Sequence, residues 1–259
     1  MDLGISGRKA IVCASSEGLG KGCALALAQA GCEVIVNART QATVDATVAE
    51  IAAATGANVT GVAADVGAHE GQKALLSACP TPDILVNNNG GPPRRSYAEL
   101  TRDDMINGVV QNMITPIELI QSVAEGMAER NFGRIVNITS LSVLMPIEGL
   151  DLSSGARAGL TAFLAGVRPI YASRNVTMNN LLPGKMDTKR LRGGLEAGAK
   201  ASGKSFDEVA QAQKDEIPAK RFGTAEEFGN TCAFLCSGYA GYITGQNILM
   251  DGGLFPHSF

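Results

Sequence analysis

A chain of 259 residues with 45% hydrophobic residues and 31 glycines is long enough for one large α/β domain with a sizeable core and many tight turns. Its formal charge of -3 and its lack of tryptophan argue against nucleic acid or an anionic membrane as partner. No run of about 18 apolar residues occurs and Met1-Asp2-Leu3-Gly4 opens no signal peptide, so no membrane span and a cytoplasmic location are expected.

In chain order, 9–14 reads as a strand running into a Gly-containing turn, and 20–30 as an Ala- and Leu-rich helix closed by Gly31. Strands at 33–37 and 58–63 flank a helix at 43–54, and another helix covers 69–78. Strands at 83–86, 134–139 and 176–182 alternate with long helices at 102–130 and 152–173. The stretch 189–220, rich in Lys, Gly and Ala with one amphipathic patch at 206–213, is expected to be a mobile substrate lid within the domain. A helix at 225–236 and a strand near 247–250 finish the pattern. This alternation, with apolar runs such as IVCA and DILV, predicts an α/β fold: a single-domain, doubly wound Rossmann-type parallel sheet over 1–259, with helices on both faces. The six cysteines include Cys232 and Cys236, four apart with no His nearby. Buried thiols fit them better than zinc, and no metal site is predicted.

Residues 13–20, CASSEGLG, follow a strand and open a helix. Glycines there let backbone approach a pyrophosphate, and the helix N-terminus offers free N–H groups. An ordinary βα turn with a close-packed helix is the alternative. Together with the motifs that follow, this turn resembles the short-chain dehydrogenase/reductase family, including its 3-oxoacyl-(acyl-carrier-protein) reductase-like members. Gly18 and Gly20 match the second and third glycines of the family's Thr-Gly-x-x-x-Gly-x-Gly, while Cys13 and Ala14 replace the Thr and the first Gly. Ser15, Ser16 and Leu19 complete the implied phosphate turn. Ala14 is expected to reshape it slightly, because a Cβ disfavours positive φ.

In a dinucleotide fold an acidic residue after the second strand binds the ribose 2′-OH, whereas an Arg accommodates a 2′-phosphate. Ala38 fills the acidic slot and Arg39 follows, so NADP(H) is expected over NAD(H). A guanidinium–phosphate contact is worth about 1.5–3 kcal/mol. Glu17 argues the other way, and a solvated surface Arg is the alternative for Arg39. The resemblance places Asp65-Val66 beside the adenine and Asn88 and Gly90, in Asn87-Asn88-Asn89-Gly90, along the cofactor wall. It puts Pro183-Gly184 with Thr188 at the carboxamide turn. Gly91-Pro92-Pro93 stiffens the next loop. Arg94 and Arg95 meet an anionic substrate there or are solvated. Arg221-Phe222-Gly223, Thr244-Gly245-Gln246 and Asp251-Gly252-Gly253 extend the match to the end of the chain.

The family's chemistry implies an Asn, a Ser and a Tyr-x-x-x-Lys pair. The Tyr donates a proton to the alkoxide once a nearby Lys lowers its pKa from about 10. Asn112 and Ser140 match the first two, but the Tyr and Lys places hold Ser153 and Arg157. Tyr97, Tyr171, Tyr239 and Tyr242 lie in other segments. A serine hydroxyl is a far weaker acid than a phenol, and it leaves a hollow where a ring stood. Arg157 keeps a charge for the ribose but, with a pKa above about 12, relays no proton. Three readings follow. Hydride transfer persists with another proton source, and Ser140, Ser153 and Arg157 stabilise the oxyanion. Or the protein binds nucleotide with little turnover, as a sensor or partner subunit. Or the pocket does lyase or isomerase work with Asp151 as base, unless Asp151 merely caps its helix. The resemblance implies a small-molecule carbonyl or alcohol substrate. It also implies a homotetramer or homodimer, with 161–167 and 241–255 as compatible apolar surfaces. His69 and His257 do not look catalytic.

Overall fold

Seven strands form one parallel sheet in the computed structural model, which describes residues 2–92 and 94–256. Pro93 and His257, each assigned an expectation above, lie outside the described residues. The strands are β1 (Lys9–Val12), β2 (Glu33–Ala38), β3 (Val59–Ala63), β4 (Ile84–Asn87), β5 (Gly133–Ile138), β6 (Val176–Pro183) and β7 (Asn247–Met250). Their order is β3-β2-β1-β4-β5-β6-β7, every neighbouring pair parallel. The winding reverses between β1 and β4, which opens a crevice at their carboxyl ends.

The continuous apolar strands are explained by burial on both faces. Ala10, Val12, Ile84 and Val86 point into one core, whose helical side is α1 (Gly18–Gln29), α2 (Gln41–Thr55) and α9 (Ala225–Leu235). Ile11, Cys13, Leu85 and Ile135 point into the other, covered by α3 (His69–Ala78), α5 (Thr115–Glu129) and α6 (Asp151–Ala172). Successive strand residues alternate faces, so the central strands β1 and β4, covered on both faces, read as near-continuous apolar runs. All six cysteines are free and buried. Among the described residues no helix is long and apolar enough to cross a membrane, and no cluster of three His, Cys, Asp or Glu is arranged to hold a metal.

Two segments differ from expectation. The helix expected over 102–130 is α4 (Arg102–Val109), a π turn over Val110–Ile114, and then α5. Pro116 explains the break. It has no N–H to donate to the carbonyl of Asn112, and its ring crowds that carbonyl, so the preceding turn widens. The stretch 189–220, of which only 206–213 reads as amphipathic in the sequence, holds two helices. These are α7 (Lys189–Ser202), capped by Thr188, and α8 (Phe206–Asp215), with a Ser205–Glu208 capping box.

Candidate active site

The turn after β1 is tied down from both sides. Ala14 adopts φ 43, so the left-handed conformation that glycine would take freely survives on an alanine. Its N–H donates to Asn37 Oδ1 at 3.1 Å, and its carbonyl accepts from Asn88 Nδ2 at 3.0 Å. Asn37 Nδ2 reaches on to the carbonyls of Val62 and Ala64, both at 3.0 Å. Ser15 is fully buried. Its Oγ donates to the Val12 carbonyl at 2.7 Å and accepts from the Asn37 N–H at 2.9 Å, so this hydroxyl shapes the turn from inside. A Cβ on Gly20 would lie 2.4 Å from the Ala14 carbonyl oxygen, so only glycine lets α1 start this close to the strand. Gly18 takes φ 56 and Leu19 packs on the core, while Ser16 is half-buried. Glu17, at the N-cap of α1, makes no side-chain capping bond, which leaves the positive end of the helix to an outside anion.

Thr188 sits opposite. Its Oγ1 accepts from the Leu191 N–H at 3.3 Å, and its methyl is 3.5 Å from where a Gly18 Cβ would be. The starts of α1 and α7 thus face each other across a cleft of about 900 Å³ bounded by Gly18, Lys21, Thr188 and Arg192. Lys189 pairs with Glu17 at 3.3 Å, so the residue that counted against a 2′-phosphate has a cation of its own. Pro183 ends β6, and Gly184 donates to the Met250 carbonyl at 2.9 Å. A Cβ there would meet Asp251 Cβ at 2.6 Å. Arg39 is exposed just beyond β2. Asp65 is exposed with its Oδ1 on the Gly67 N–H at 2.9 Å, and Val66 is buried in the core. Asn89 bonds Gln111 and accepts from the Gly90 N–H at 2.8 Å, leaving Gly90 exposed.

The structure brings Asn112 and Arg157 to one polar chamber and seats Ser153 against Arg157. Asn112 lies in the π turn, buried, with Nδ2 on the Gly108 carbonyl at 3.3 Å. Asn87, Asn88, Asn112, Thr115, Asn137 and Arg157 line a cavity of about 20 Å³, room for one water molecule. Asn87 Oδ1, Asn112 Oδ1 and Thr115 Oγ1 are buried without a hydrogen-bond partner among the described residues, which suits solvent at this point. Arg157 is 8% exposed. Its Nε donates to Ser153 Oγ at 3.1 Å and its Nη1 to the Ile138 carbonyl at 2.5 Å. Two residues beyond that carbonyl, Ser140 Oγ accepts from the Ser142 N–H at 3.1 Å and starts a short 3₁₀ turn. Asp151 is exposed at the first turn of α6.

Two expectations are corrected. Burial, and then the charge of Arg190, push the Arg157 guanidinium down to about 10 instead of leaving it above 12, although it stays protonated near neutrality. The hollow expected at Ser153 is not open either. Ser153 is 5% exposed, because the guanidinium folds back one helical turn onto its hydroxyl.

One feature went unread in the sequence. Asn87 donates to Asn137 at 2.9 Å, Asn137 to Asn180 at 3.0 Å, and Asn180 to Asn247 at 2.8 Å, in register across four strands. The first two rungs of this ladder, Asn87 and Asn137, line the chamber. Its available signal was an Asn in each of four strands, three of them near the carboxyl end.

A family model described as enoyl-(acyl carrier protein) reductase matches residues 13–255. The 3-oxoacyl-(acyl-carrier-protein) reductase FabG of Aquifex aeolicus is 31% identical over 259 residues, covering 98% of this chain and 100% of that protein. The uncharacterized oxidoreductase YvrD of Bacillus subtilis is 30% identical over 261 residues, covering 98% of both. The structure of L-sorbose reductase from Gluconobacter frateurii, complexed with NADPH and L-sorbose, superposes with a TM-score of 0.94. It is 27% identical, over 99% of this chain and 100% of that one.

Proposed function

The chain belongs to the short-chain dehydrogenase/reductase family of oxidoreductases, and on that premise we propose that it uses NADP(H) to interconvert a carbonyl and an alcohol without a phenolic proton donor. The observation that carries this reading is Arg157, a buried guanidinium folded onto Ser153 where a phenol–amine pair is expected.

The residues fit the nucleotide. The uncapped start of α1, the close approach permitted by Gly20 and the facing Thr188 suit a pyrophosphate. Exposed Arg39 suits a 2′-phosphate. L-sorbose reductase, similar over the full chain, is described as complexed with NADPH. When bound there, the nicotinamide would be the source or acceptor of the hydride. This chain's residues do the rest. Arg157 makes two hydrogen bonds with five donors, so N–H groups remain for the ribose and for charge developing on the substrate oxygen. Ser140 contributes a hydroxyl near the same strand end. The proton for that oxygen comes from solvent at the chamber of Asn87, Asn112 and Thr115. A second cavity of about 260 Å³ lies beside the chamber, bounded by Gly90, Asp104, Gly108 and Asn112; the one carboxylic acid among the described residues lining either, Asp104, is committed to Thr101 and Arg95 and held below the usual carboxylate range by them. The segment 189–220 serves as the lid, and the outward Phe163 and Ile170 of α6 support assembly with a second copy. Screening NADPH oxidation against ketones and keto acids tests the reading. Thermal stabilisation by NADPH without turnover on any of them would favour a nucleotide-binding role instead.

A further inference from the structure

We infer that the substrate is a small carbonyl or hydroxy compound bearing a carboxylate, which docks on Arg190 and Arg94 at the mouth of the site. This deepens the reading above and rests on it for the reaction, though not for the binding.

The argument starts from unbalanced charge. Cations around the cleft commonly have a carboxylate: Arg95 pairs with Asp104 at 3.0 Å, Arg192 with Asp187 at 2.8 Å, and Lys189 with Glu17 at 3.3 Å. Among the described residues, Arg94, Arg157 and Arg190 have none within ion-pair distance. Arg190 donates only to backbone, to the Gly91 carbonyl at 3.1 Å and the Pro92 carbonyl at 3.0 Å. A Cβ on Gly91 would lie 2.5 Å from its Nη1, so the guanidinium rests on the loop next to Gly90. Arg94 is exposed on the same loop, which is pinned toward the start of α6 by the Arg95 N–H on the Gly149 carbonyl at 3.2 Å.

These guanidiniums also feel one another. Burial, then Arg94, lowers Arg190, and burial, then Arg190, lowers Arg157. Mutual repulsion among these cations is unfavourable in the free protein, and an arriving anion relieves it. Planar forks match a carboxylate in bidentate fashion. An uncharged ketone gains nothing from them.

Calorimetry on the full chain saturated with NADPH decides the matter, with malonate as a non-reacting probe and malonamide as its neutral counterpart. Malonate is expected to bind about tenfold more tightly than malonamide, and Arg94→Gln and Arg190→Gln are each expected to remove most of that preference. Arg94 makes no side-chain hydrogen bond among the described residues, so its variant reports on charge even if Arg190→Gln disturbs the loop. Equal affinity for the two probes, or a malonate preference that survives both substitutions, overturns the inference. So does a drop of about tenfold in NADPH affinity with unchanged malonate affinity, which would assign these cations to the nucleotide's phosphates. If no carbonyl compound is ever turned over, the redox reading falls, and malonate binding still decides this one.

Discussion

The Nε of Arg157 lies 3.1 Å from the hydroxyl oxygen of Ser153, one helical turn earlier in α6. The pair closes on itself at the place where the rest of the family pattern calls for an acid and its activating amine. On the proposed reading the strong cation is kept and the acid is gone, so the site would hold negative charge with no side chain among the described residues placed to deliver a proton near neutral pH.

Arg157→Met tests how that charge is tolerated. A nearly buried guanidinium with no carboxylate partner is a stability liability, so the variant is expected to unfold at higher urea, by about 1 kcal/mol. NADPH should stabilise it less than it does the parent. A large loss of stability would mean that the two hydrogen bonds of Arg157 outweigh its desolvation.

Ser153→Tyr alone is expected to destabilise the fold by about 1–3 kcal/mol, because a ring must displace a guanidinium in a closed space. Ser153→Tyr with Arg157→Lys removes the conflict and restores a donor. Its NADPH-dependent ketone reduction at pH 7 should rise by about 100-fold. A folded, NADPH-bound double variant with unchanged turnover would refute the assignment of these two positions.

Ala14→Gly should stabilise the protein by about 0.5–1 kcal/mol in denaturant titrations. The relief of a left-handed alanine outweighs the extra freedom glycine gives the unfolded chain.

Arg39→Ala should weaken NADPH by about 1.5–3 kcal/mol and leave NADH nearly unchanged, as read from cofactor fluorescence titrations. Equal loss for both cofactors would place Arg39 away from the 2′-phosphate.

Much of this architecture is legible before any coordinates. Strands buried on both faces read as unbroken apolar runs, and β7 and α3 fall where the pattern puts them. The rest turns on interactions that periodicity does not encode. Pro116 was visible, but not that its missing N–H would widen the turn that carries Asn112. Helix α7 contains Gly193-Gly194 and carries basic residues, and it owes its start to the Thr188 cap. Ser15 lies in the phosphate turn, and only the fold shows its hydroxyl bonded to Val12 and Asn37. That Arg190 has no carboxylate partner among the described residues depends on which acids neutralise its neighbours, and that is a matter of three-dimensional pairing.

The pH dependence of turnover bears most directly on the claim that no side-chain acid works this site. With Arg157 titrating at about 10 and the proton drawn from solvent, the rate of NADPH-dependent reduction should be level from about pH 6 to 9. It should fall only as the guanidinium loses its charge above that range. An inflection between pH 6 and 9 that persists under saturating substrate and cofactor would reveal a protein acid and contradict the account.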